Sequence, residues 1–228
     1  MKSKGFTLIE MLVSMTLLSL LLLLSTTAYS FFSQKWNGRL GHYNQTLSDA
    51  KNLVIMQNVV KSVVPYVVLD NETNPVLYFE GNRNGFVAVA NSSIYQPHLP
   101  AVVRLQVTQN ADFTYVLSYQ EAVMDKRLLV ELKQPLSFTQ PLVLLENIQD
   151  IQFEYFAYPS RDDKYWTTEN STGERGTPVW FESLDSVTRG VHPEQIKISI
   201  LHKDRTIVLP IVMFDTRQRV LAQYDEEV

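Results

Sequence analysis

Between Phe6 and Phe32 the chain runs for 27 residues with one charged side chain, Glu10, and from Met11 to Leu24 it is almost wholly apolar. A helix needs about 20 apolar residues to cross a hydrocarbon core about 30 Å thick. This stretch is long enough, so the N-terminal region is committed to lipid and the remainder must fold as a separate body. Lys2 and Lys4 precede the run; Lys35 and Arg39 follow it. A short basic head favours an N-terminus kept in the cytoplasm, with the rest sent outward. An ordinary secretory signal would be cut behind the apolar run, where Ser25, Thr26, Thr27 and Ala28 offer small residues. A plain signal anchor is the other simple reading. Neither accounts for Glu10, because an ionisable group inside an apolar segment costs a few kcal/mol to insert. Neither accounts for the Gly5-Phe6 junction.

The stretch Lys2-Ser3-Lys4-Gly5-Phe6-Thr7-Leu8-Ile9-Glu10-Met11-Leu12-Val13 resembles the class III leader of type IV pilins and type II secretion pseudopilins. The resemblance implies that a prepilin peptidase cuts between Gly5 and Phe6 and methylates the new amine of Phe6. It implies that Glu10 is the family's assembly glutamate. Cleavage lies ahead of the apolar run, so the membrane helix stays on the mature chain. Loss of Lys2 and Lys4 leaves 18 basic against 24 acidic side chains, a net of −6. The freed amine at Phe6 can pair with a neighbour's Glu10 carboxylate, where low dielectric makes the attraction large. Two charges that are costly alone in lipid then fix an axial stagger between subunits.

After Phe32 the sequence turns polar but keeps a helical spacing. Trp36, Leu40, Tyr43, Leu47, Ala50 and Val54 recur at steps of 4, 3, 4, 3 and 4, one apolar stripe on a helix. Ile55, Val59 and Val63 widen it. Pro65 predicts termination near Val64, because the residue before proline avoids helical geometry. The stripe is expected to pack on the chain's own sheet, with Trp36 and Leu40 left as contacts for a neighbouring helix.

From Tyr66 onward β-rich runs alternate with turns. Strands are predicted at Val76–Phe79, Phe86–Ala90, Val102–Thr108, Thr114–Tyr119, Leu128–Leu132, Ile151–Tyr158, Ile196–His202 and Thr206–Ile211. Gly81-Asn82-Arg83-Asn84-Gly85 and Gln109-Asn110-Ala111-Asp112 read as turns. Pro210 marks the last run as an edge strand. One long helix followed by strands gives an α+β fold, here a long N-terminal helix packed on antiparallel sheet. The expected organisation is a leader over 1–5, a transmembrane and assembly helix over 6–32, and a periplasmic domain over 33–228.

Other chemistry is sparse. The absence of cysteine excludes thiol catalysis, thiolate zinc and iron–sulfur clusters. A net charge of −4 argues against general affinity for nucleic acid. His42, His98, His192 and His202 show no paired-ligand spacing. The segment 160–178 holds Asp162, Asp163, Glu169 and Asn170, oxygen groups that a calcium ion uses. Their spacing does not match an EF-hand and basic residues interleave, so a solvated loop is expected. No convergent polar constellation stands out, and the expectation is a structural chain, not an enzyme, with no cofactor and no metal.

The C-terminal half carries a second resemblance. Leu145-Glu146-Asn147-Ile148-Gln149-Asp150-Ile151-Gln152-Phe153-Glu154-Tyr155 precedes a tryptophan-containing loop, and His192-Pro193-Glu194-Gln195-Ile196-Lys197-Ile198-Ser199-Ile200 opens a strand. This order is similar to the J-type minor pseudopilin of type II secretion. The resemblance implies a pseudopilus tip subunit at the inner membrane, in complex with I-type and K-type partners. Minor pilins of type IV or mannose-sensitive haemagglutinin-type pili are the alternative at this level.

Overall fold

The computed structural model describes residues 7–165 and 176–213, with the side chains of 37–46 excepted. It has a long helix, α1 (Leu8–Ser62), followed by antiparallel sheets, the expected α+β pilin-like arrangement. By compactness the chain divides after Ala50.

Beyond Ala50, three elements build one core. A six-stranded sheet has the order β10 (Leu184–Asp185), β3 (Phe79–Asn82), β4 (Gly85–Ala90), β5 (Ala101–Gln109), β6 (Tyr115–Val123), β7 (Leu142–Ile148). A four-stranded sheet has the order β12 (Arg205–Val212), β11 (Gln195–His202), β8 (Asp150–Ala157), β9 (Val179–Phe181). Every strand pairing is antiparallel. Alternation along the strands sends one set of side chains inward. Ile196, Ile198 and Ile200 of β11 are buried with Ile151, Phe153 and Tyr155 of β8, and they join Phe86, Leu105 and Tyr119 of the larger sheet in one cluster. The last turns of α1 close it with Met56, Val59, Val60 and Val63.

A smaller cluster covers the other face of the six-stranded sheet. Val89, Val102 and Ala122 form a cross-strand row there. It lies under Val64, just after α1, Val68 of the hairpin β1 (Val67–Leu69) and β2 (Pro75–Leu77), and Met124 and Leu129 of the segment after β6.

Three sequence expectations are corrected. Leu128–Leu132 is not a strand: its backbone pairing is a single parallel bridge, Glu131 to Leu69, and ahead of it the Gln134 side chain accepts the Val130 N–H at 3.1 Å and donates to the Leu128 carbonyl at 2.9 Å. Val76–Phe79 breaks at Tyr78, whose N–H donates to the Tyr66 carbonyl at 2.8 Å, so β2 and β3 belong to different sheets. The helical stripe meets the core at its C-terminal end: Val59 and Val63 are buried there with Met56 and Val60, whereas Val54 is 55% exposed and Trp36, Leu47 and Ala50 are exposed. Tyr43 and Leu40 have side chains outside the described residues. Helix termination falls at Ser62, close to the predicted Val64, with Val63 already bridged to Ala90. Pro210 does lie on an edge strand, β12.

Two polar features hold the core in one arrangement. The Tyr155 hydroxyl lies 2.7 Å from the Gly85 carbonyl and 2.9 Å from that of Asn82, so the four-stranded sheet reaches under the β3–β4 hairpin. Burial pushes this phenol well above its ordinary titration range. His192 is buried edge-on to Phe79, with its ring 5.3 Å away. Its Nδ1–H donates to the Pro193 carbonyl at 3.0 Å, and Nε2 has no partner.

Burial pulls His192 down to about 3 from 6.5. The folded state therefore holds it neutral while the unfolded chain protonates it below pH 6.5. Its stabilising contribution is complete above pH 6.5 and is lost as pH falls towards 3, by up to about 1.4 kcal/mol per pH unit. Urea unfolding at pH 7.5 and pH 5 is expected to show this loss. His192→Phe, which keeps a ring against Phe79, is expected to flatten the pH dependence over that interval. An unchanged slope in the variant would assign it to other groups.

Candidate functional site: the N-terminal membrane helix

The helix starts on a Thr-x-x-Glu spacing, Thr7-Leu8-Ile9-Glu10, the order of a capping box. The Glu10 carboxylate reaches back to its own chain. Its Oε2 accepts the Thr7 N–H at 2.9 Å and the Thr7 hydroxyl at 2.8 Å. The Thr7 carbonyl in turn accepts the Glu10 N–H at 3.1 Å. One carboxylate thus satisfies a backbone donor that has no intrahelical acceptor. The sequence reading assigned Glu10 to a neighbour and missed this local partner, although the spacing to Thr7 carries the signal.

Along Leu8–Trp36 the helix is long and apolar enough, by length and composition, to cross a membrane. Its hydroxyls are turned onto its own backbone. Ser14 donates to the Glu10 carbonyl at 2.6 Å, Ser19 to Met15 at 2.8 Å, and Thr26 to Leu22 at 2.8 Å. A span in hydrocarbon must satisfy its polar groups internally, and these side chains meet that condition. The leucines from Leu17 to Leu24 are exposed on all sides, as suits a surface that lipid or other helices will cover.

The far end carries an aromatic cluster. Phe32 stacks on Trp36 with ring centroids 5.6 Å apart, and the Lys35 ammonium sits 4.9 Å from the Phe31 ring centre. Tyr29, Phe31, Phe32 and Trp36 are all exposed. Tyr and Trp, with Lys and Arg nearby, are the residues enriched at the ends of membrane spans, and Tyr29, Lys35 and Trp36 stand at this end of the apolar run. Gly5 and Phe6 lie outside the described residues.

The remaining candidates do not converge. Among the described residues no group of His, Asp and Glu is placed to hold a metal ion. Asp163 is engaged locally, accepting the Ser160 hydroxyl at 2.7 Å at the start of α2 (Arg161–Lys164). Glu169 and Asn170 lie outside the described residues. A cavity of about 480 Å³ on the outer face of the larger sheet is lined by Glu80 and Asp185 at one side and by Arg104 and Lys133. It brings opposite charges together without a nucleophile and a base.

A family model for the prokaryotic N-terminal methylation motif matches residues 1–26. The match spans the Gly5-Phe6 junction, Glu10 and most of the apolar run. It supports a type IV pilin-like or pseudopilin chain, and it implies processing by a prepilin peptidase. The motif and the apolar helix together fit a single-pass inner-membrane anchor. No curated protein matches the chain.

Proposed function

We propose that this chain is a minor pseudopilin of a type II secretion system, a structural subunit at the pseudopilus tip that supports protein export across the outer membrane. The observation that carries the reading is the methylation motif continuous with an apolar helix and followed by an antiparallel α+β domain. In this reading Gly5 and Phe6 flank the peptidase cut, Phe6 is methylated, and the domain after the span faces the periplasm. Glu10 pairs with a neighbour's amine. I-type and K-type pseudopilins are the partners, and the chain performs no catalysis. The two segments that carry the J-type resemblance include β8 and β11, which pair along seven residues.

Intact-mass analysis of the chain from native membranes tests the processing. The expected species begins at Phe6 and carries one added N-methyl group. A chain beginning near Tyr29, or one retaining Met1, would overturn the reading.

A further inference from the structure

The ten residues joining β4 to β5, Asn91-Ser92-Ser93-Ile94-Tyr95-Gln96-Pro97-His98-Leu99-Pro100, contain no Asp, Glu, Lys or Arg. The loop is closed at its neck. The Ser93 N–H donates to the Leu99 carbonyl at 2.9 Å, and the Leu99 N–H to the Gln96 carbonyl at 2.9 Å. The Gln96 N–H donates to Ser93 Oγ at 2.8 Å, and the Ser92 hydroxyl to the Pro97 carbonyl at 3.1 Å.

Beneath the loop lies Glu121 of β6, with no exposed surface. Its carboxylate accepts the Ile94 N–H at 2.9 Å and the Tyr95 N–H at 3.4 Å, and the hydroxyls of Ser93 and Tyr119 as well. Burying a carboxylate costs several kcal/mol unless hydrogen bonds compensate. Here four donors converge, and three of them belong to the loop. The outcome is a rigid knob whose residues 95–98 are exposed, with Tyr95 at 53%.

A knob of this kind suits protein recognition. A tyrosine held in place before binding loses little freedom on contact, and tyrosine is enriched among residues that dominate interfaces. Interface centres are depleted in charge, as this loop is. Phosphate-rich partners, nucleic acid or anionic lipid, are held through Lys and Arg, and the loop has neither.

We infer that Tyr95–His98 docks onto the folded domain of a neighbouring pilin-like subunit, with Glu121 holding the knob in its binding shape. The inference rests on the assembly reading above.

The test places the photocrosslinker p-benzoylphenylalanine at single positions of the full chain in native membranes. Position 95 is the probe. Phe113, 79% exposed in the turn after β5, is the control, because it lies at the opposite end of the strand that starts beside the knob. Trp36 reports assembly through the helix. The expected result is an adduct at 95 at least fivefold stronger than at 113, with crosslinked peptides from the folded domain of another pilin-like subunit. Glu121→Gln is expected to cut the adduct at 95 at least threefold and leave that at 36 unchanged. Equal yields at 95 and 113, an adduct with lipid, or an adduct with this chain itself would overturn the inference. If position 36 captures subunits and 95 does not, the knob fails alone; if neither does, the assembly reading fails.

Discussion

Gly85→Ala should remove most of the stability of the folded domain, about 4 kcal/mol or more out of the 5–15 kcal/mol typical of such domains. Gly85 opens β4 after the two-residue turn Arg83-Asn84 and has φ of +135°, a region closed to L side chains. A Cβ there would also collide with the Leu105 carbonyl of the neighbouring strand, so the ladder between β4 and β5 would have to open. The Gly85 carbonyl also receives the Tyr155 hydroxyl, so the disturbance spreads to the second sheet. Gly190, the C-cap of α3 (Ser186–Arg189), has φ of +64°, and an added Cβ would sit 3.2 Å from the Arg161 Cβ, a contact that a shift of a few tenths of an ångström relieves. Gly190→Ala is therefore expected to cost about 1 kcal/mol. Denaturant unfolding of both full-length variants in detergent checks the contrast. Similar losses in the two would mean that strain at Gly85 is relieved by movement of β5.

Glu10→Gln should lower incorporation of the chain into its assembly at least tenfold while leaving membrane insertion intact. The substitution separates two roles of one side chain. Glutamine can still accept the Thr7 N–H that Glu10 accepts now, because capping boxes use Glu or Gln alike. It carries no charge to offer the Phe6 amine that the proposed cleavage would free. Removing one member of a desolvated ion pair typically costs 3–5 kcal/mol, far more than a lost cap. Crosslinking between subunits in membranes gives the readout, with Glu10→Val as the variant lacking both roles. If Gln matches the parent and only Val fails, Glu10 serves the start of its own helix and the intersubunit pairing is wrong.

The long apolar helix was legible in the sequence because length and composition suffice to mark a helix able to cross a membrane. The strands were legible where one face is buried and the other wet. The alternation in Gln195–His202 and Asp150–Ala157 is visible residue by residue, and both strands are present. β7 escaped notice because Leu142, Val143, Leu144 and Leu145 do not alternate. Its pairing with β6 shifts register near Leu117, so Leu144 and Leu145 are both buried. The apolar stripe from Trp36 to Val54 has true helical spacing, yet spacing cannot tell which turns a sheet will cover. The core takes Met56, Val59 and Val60 at the helix end. Glu121 was invisible as a site, since a lone glutamate inside a strand has no local signature. Its partners come from a loop about 27 residues earlier in the chain.

The outer strand of the four-stranded sheet bears on what happens when many copies crowd on one membrane. β12 is eight residues long, and its Val208 and Val212 are exposed. Among the described residues no strand pairs beyond β12, and an open edge of that length is a template for another chain's backbone. Pro210 stands opposite Lys197 within an unbroken ladder, which a proline can do only with its nitrogen on the outer side. The outward row of donors is thus interrupted between Val208 and Val212. Copies brought side by side can meet through folded surfaces, while the growth of one continuous cross-chain sheet, the route to insoluble fibre, is stopped at that residue.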